Sequence, residues 1–144
     1  MKKIMIIAAF ALAFTLVACA GDRPVTFQQL PAAAQAFITT NYPDDKVSYA
    51  TVDDDIYRPD YKVVLVSGAM IQFHNDGSLE KIASRNADIP AGLIPVQITE
   101  YVKTHFPDAS IIEYEVGRRT YEVKLSNRLE LKFNRKFNIM EVDD

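Results

Sequence analysis

The chain has 144 residues, with 16 Lys or Arg against 19 Asp or Glu, one cysteine and a formal net charge of −3. This modestly acidic balance excludes the basic stripe that phosphate neutralisation requires, so nucleic acid is not an expected partner, and neither is an anionic lipid surface. The single cysteine, Cys19, excludes an internal disulfide and leaves residues 21–144 without a thiol nucleophile.

Taken in chain order, the first element is an export signal. Met1-Lys2-Lys3 is followed by an uncharged apolar run from Ile4 to Leu16 and then by the small-residue stretch Ala18-Cys19-Ala20, the three parts of a secretory signal. The run is shorter than the roughly 20 residues of a membrane-spanning helix. Residues 1–20 are therefore read as a signal peptide, with two readings of its end. Leu16-Val17-Ala18-Cys19 fits a bacterial lipobox, in which Cys19 is acylated and tethers the protein to a membrane. Ala18-Cys19-Ala20 also fits the A-x-A rule, which would release a soluble periplasmic protein. Both readings place the protein outside the cytoplasm, with Cys19 as its one expected membrane contact. The 16 basic residues less Lys2 and Lys3 leave 14 against 19 acidic ones, a net charge of −5. A remainder of about 124 residues suffices for one compact domain with a single core.

A helix is predicted over Ala32 to Asn41, opened by Pro31 in the first turn and closed by Pro43. Strand-like runs follow at Lys46 to Val52, Tyr61 to Val66, Ala69 to His74 and Ser78 to Ala83. The pattern then recurs. Leu30-Pro31 through Tyr42-Pro43-Asp44 aligns without gaps on Ile94-Pro95 through Phe106-Pro107-Asp108, and alternating runs follow at Ser110 to Val116, Thr120 to Ser126, Arg128 to Asn134 and Phe137 to Val142. The offset between the copies is 64 residues at the helices and 60 at the later strands. The first copy thus has a longer loop, Asp53 to Asp60, where the second has Gly117 to Arg119. Short turn signals (Ser67-Gly68, Asn75-Asp76-Gly77, Gly117 and Ser126-Asn127) force antiparallel hairpins. Ala34, Phe37, Ile38 and Asn41 mark one face of the first helix, as Ile98, Tyr101, Val102 and His105 do in the second. The expected fold is α+β: two tandem αββββ repeats, residues 21–86 and 87–144, forming a curved antiparallel sheet with two helices packed on one face.

The L-P, short helix, F/Y-P-D and tyrosine-led hairpin pattern resembles the PepSY-like, β-lactamase-inhibitor-protein-like family of exported bacterial proteins, from about Val25 to Asp144. The resemblance implies two helix-plus-four-strand units side by side, with an open concave sheet face that grips protein partners. No inhibitory anchor residue of the family matches this chain residue by residue. Small outer-membrane assembly lipoproteins share a similar architecture, so the resemblance does not settle function.

Candidate chemistry is sparse. Asp53-Asp54-Asp55 with Asp60 could offer oxygens to calcium, but the run lacks the glycine and distal glutamate of a calcium loop and reads as a solvated loop. No metal ligand set and no cofactor is assigned. His74-Asn75-Asp76-Gly77 reads as a hairpin turn, and His105 as a cation at a helix C-terminus. Glu113, Glu115 and Glu122 read as a solvated strand face. No nucleophile, base and orienter occur together, so the chain reads as a non-enzyme.

One asymmetry remains. The outward set of the first copy is Lys62, Val64, Val66, Met70, Gln72 and His74, against Glu122, Lys124, Ser126, Glu130, Lys132 and Asn134 in the second. The first copy exposes apolar side chains where the second exposes charges; exposed apolar patches mark contact sites, and the other outcome for such a strand face is cover, by the N-terminal tail, the Asp53 to Asp60 loop or a second copy of the chain. The expected function is an exported binding module that binds or inhibits an envelope or secreted protein or peptide through those residues. The alternatives are a structural envelope lipoprotein that scaffolds assembly and, behind both, a hydrolase or metal sensor.

Overall fold

The computed structural model describes residues 21–53 and 55–144. Residues 1–20, the segment expected to be a signal peptide and holding Cys19, lie outside the described residues, as does Asp54. One sheet holds every strand, in the order β1 (Arg23–Val25), β2 (Val47–Val52), β3 (Tyr61–Leu65), β4 (Met70–Phe73), β5 (Leu79–Ala83), β6 (Ile111–Val116), β7 (Thr120–Leu125), β8 (Glu130–Asn134) and β9 (Ile139–Asp143). Every neighbouring pair is antiparallel. Helix α1 (Ala32–Asn41) precedes β2, and α2 (Val96–His105) connects β5 to β6.

The two αββββ units and their strands lie where the periodicity puts them, with ends shifted by one or two residues. Strand β1, in which Pro24 stands at the centre of three residues, has no counterpart in the periodicity. Proline donates no hydrogen bond to a ladder and so belongs on an edge, and among the described residues β1 is an edge that pairs only with β2. Pro31 and Pro95 stand one step earlier than expected, as helix N-caps in an extended conformation. Their carbonyls accept the first helical bonds, from the N–H groups of Gln35 (3.0 Å) and Thr99 (3.2 Å).

Period-two alternation sends one set of side chains from each strand under the helices. Ala34 and Ile38 of α1 pack with Val63, Leu65, Ile71, Phe73 and Ile82, while Ile98 and Val102 of α2 pack with Tyr114, Val123, Leu125, Leu131 and Phe133. Leu79 and Ile89 touch both clusters and join them. The copies align down to their aromatic contacts: Phe37 meets Phe73 edge-on at 5.4 Å, as Tyr101 meets Phe133 at 5.3 Å. The last strand breaks the symmetry. Ile82 is fully buried, but Val142, its counterpart, is 48 % exposed because β9 is the second edge.

Candidate functional site

The side chains opposite the helices form the open face, and strand register arranges them in transverse rows. One row runs Thr51, Lys62, Gln72 and Lys81 in the first copy and continues as Glu115, Glu122, Lys132 and Glu141 in the second. The adjacent row is Tyr49, Val64, Met70 and Ala83, followed by Glu113, Lys124, Glu130 and Asp143. Apolar character therefore ends where one copy meets the next.

In the second copy, ion pairs tie the rows together: Lys124 to Glu130 and Lys132 to Glu122, both at 3.1 Å. Lys81 reaches across the junction of the copies to Glu113 at 3.0 Å and Glu115 at 3.8 Å. Burial works against the Lys81 charge, but the hydrogen bond and charge of Glu113, then Glu115, hold its ammonium above the usual lysine range. The Glu122 hydrogen bond and charge raise Lys132 as well. These groups line a shallow hollow of about 150 Å³. Among the described residues Glu141 and Asp143 line it without an ion pair, so it keeps an acidic excess.

The structure brings Lys62, Val64, Met70 and Gln72 together as two cross-strand pairs, Lys62 with Gln72 and Val64 with Met70, all half-buried. Val66 lies just beyond β3, its N–H bonded to the Lys46 carbonyl at 2.8 Å and its side chain 68 % exposed. Tyr49, 54 % exposed, pairs with Val64 and extends the patch beyond the six residues expected from the alternation. Lys62 is held by Asp22 at 3.1 Å. Strand β1 extends the sheet at its edge, beside β2.

His74 follows β4 and turns from the patch toward Asp60, with Nδ1 3.5 Å from Oδ1. Its hairpin forms as expected: Ser78 N–H (2.8 Å) and hydroxyl (2.6 Å) donate to Asp76, the hydroxyl foremost in holding that carboxyl below the usual range. His105 stacks on Tyr101 with ring centres 4.1 Å apart, and its Nδ1 lies 3.0 Å from the Tyr101 carbonyl, a packed and capped position. In the Asp53 to Asp60 loop, Asp53 Oδ1 accepts from the N–H groups of Asp55 (3.3 Å) and Asp60 (3.0 Å), and Asp55 Oδ1 from that of Tyr57 (2.9 Å). These carboxylates serve the loop, while Asp60 points back at the sheet. There it joins His74 and Glu80, with one ligand atom of each within 4.8 Å of the others. Glu80 had no signal in the sequence, because a register shift in the β4–β5 ladder brings it in.

An open antiparallel sheet backed by two helices, built from one unit used twice, defines a class of repeat-built, open-faced α+β modules. The chain belongs to the family described as "Putative beta-lactamase-inhibitor-like, PepSY-like", whose model matches residues 17–58 and 59–141, as the L-P and P-D blocks implied. It is similar to a protein of Bacteroides thetaiotaomicron described as a "putative calcium-regulated periplasmic protein". The two are 37 % identical with a TM-score of 0.81, over 85 % of this chain and 97 % of the other. A Bacteroides vulgatus protein described as a "putative periplasmic protein from DUF2874 family" is 35 % identical with a TM-score of 0.80, over 88 % and 99 %. A second B. vulgatus periplasmic protein, described as of unknown function, is 28 % identical with a TM-score of 0.80, over 86 % and 100 %. No curated protein matches the chain. Among the described residues no helix is long and apolar enough to cross a membrane.

Proposed function

We propose that this protein is an exported, non-catalytic binding module whose first-copy open face holds an extended segment of an envelope or secreted protein. The observation that carries this reading is the apolar row Tyr49, Val64 and Met70, with Val66 exposed beside it and Lys62 and Gln72 at its rim. The same positions of the second copy hold paired charges. A segment laid along the rows would meet apolar side chains first and an acidic hollow next, so the matching partner is apolar at one end and basic at the other. The test is affinity capture from envelope extract with the parent and with Val64→Asp plus Met70→Lys, each checked for an unchanged circular dichroism spectrum. A partner held by the parent and released by the variant supports the reading. Equal retention by both baits, or nothing held by either, sinks it.

A second reading, an envelope scaffold tethered by a lipid at Cys19, is favoured by the lipobox-like Leu16-Val17-Ala18-Cys19. The intact mass of the protein purified from membranes decides it: a diacylated N-terminal cysteine supports tethering, and a chain beginning at Gly21 rules it out.

A further inference from the structure

We propose that Asp60, His74 and Glu80 form a binding site for one zinc-class divalent cation, whether or not the open face binds a protein. The three side chains come from separate stretches of the first copy, and one ligand atom of each lies within 4.8 Å of the others. A tetrahedral zinc ion with donors at about 2.0–2.1 Å sets those donors about 3.3 Å apart. His74 Nδ1 and Asp60 Oδ1 are already 3.5 Å apart, and the Glu80 ligand atom lies within 4.8 Å of both, so binding has to draw the set together. One imidazole and two carboxylates suit zinc and its borderline neighbours and leave a fourth position for water, whereas calcium seeks six to eight oxygens.

The backbone holds each ligand. Asp60 is clamped to Asp53 in both directions, donating its N–H to Oδ1 (3.0 Å) and accepting the Asp53 N–H on its carbonyl (3.1 Å). His74 opens a tight turn, its N–H bonded to the Ser78 carbonyl (2.9 Å) and its carbonyl to the Gly77 N–H (2.8 Å). Glu80 is the extra residue of a β-bulge: Gln72 pairs with Lys81 and Phe73 with Leu79, leaving Glu80 unpaired between them. Bulges of this kind re-aim a side chain and recur beside functional sites.

Charge points the same way. Among the described residues neither Asp60 nor Glu80 has a lysine or arginine within ion-pair distance, and Lys62, the neighbouring cation, is turned to Asp22. The fold does not require these residues. The second copy repeats the same bulge, with Lys132 paired to Glu141 and Phe133 to Ile139, and there the matching residues are Thr120, Asn134 and Met140.

That copy supplies the variant for the test: Asp60→Thr, His74→Asn and Glu80→Met together, on a backbone that already tolerates them. The metal-stripped protein is titrated with zinc chloride by calorimetry and melted with and without zinc. Saturable one-to-one binding is expected, with a rise in Tm of about 5 °C or more at zinc 100-fold above its Kd. Cobalt in its place should give the visible absorption of a four-coordinate ion. The triple variant and His74→Asn alone should bind zinc at least about tenfold more weakly with the metal-free fold intact, while His105→Asn binds like the parent. Absence of saturable one-to-one binding, undiminished binding by the triple variant, or tighter binding of calcium than of zinc overturns the proposal.

Discussion

The first copy closes its β3–β4 and β4–β5 hairpins with Gly68 and Gly77, at φ of 92° and 82°, whereas the second places Arg128 and Phe137 at the matching positions, at 77° and 63°. Positive φ is easy for glycine and costs other residues about 1–2 kcal/mol. The copies therefore solve one backbone problem differently. At Gly77 a Cβ would lie 2.9 Å from the backbone nitrogen of Ala34 and from the Cβ atoms of Ala33 and Pro31, so close approach to α1 demands glycine. Phe137 offsets its strain by stacking on Tyr121 at 5.3 Å, with the Arg135 guanidinium 4.6 Å from that ring's centre. The chain path is the same in both copies, and the side-chain chemistry around it differs.

The comparison is sharpest in the core. Phe73 and Phe133 are each fully buried against a helix aromatic, so Phe73→Ala and Phe133→Ala should each cost about 3–5 kcal/mol in urea unfolding. Both should melt in one transition, because Leu79 and Ile89 join the two clusters; two separate transitions would show that the copies fold independently. Gly77→Ala should cost about 3 kcal/mol by the same measurement, from overlap with α1 and the left-handed backbone, whereas a loss below about 1 kcal/mol would mean that α1 can retreat.

A smaller effect should appear in alkali. Tyr114 occupies the core slot that Ala50 fills in the first copy, and burial, then the neighbouring Tyr121, pushes its phenol up to about 12. A raised tyrosine keeps its proton longer in the folded than in the unfolded chain, so its contribution is complete below pH 10 and is lost as pH rises from 10 toward 12. Stability should fall by on the order of 2 kcal/mol over that window, and Tyr114→Phe should flatten the fall. Smallest and opposite in sign, Arg128→Gly should stabilise by about 0.5–1 kcal/mol by relieving its left-handed backbone.

Much of this architecture could be read from the residues because the signals are local. Pro31 and Pro43 bracket α1 and alternation separates Lys62 and Val64 from Val63 and Leu65, so helix bounds and outward pairs followed without a register. Strand β1 was not legible, since three residues around a proline show no period and an edge strand is recognised only by its neighbour. The convergence of Asp60, His74 and Glu80 was hidden for a related reason. Asp60 faces His74 only once Tyr61 is known to pair with Phe73, and Glu80 joins them only through a bulge, which shifts register without marking the sequence.

The strand order has a consequence for how the molecule is made. Each strand is bonded to the one synthesised just before it, from β1 to β9, and the widest gaps between paired strands are those that α1 and α2 fill. A sheet with so few distant pairings has low contact order for a β-rich protein and should fold quickly. A chain emerging N-terminus first from a narrow exit can add each hairpin to the growing edge as it appears, so no strand waits unpaired for a partner still to come.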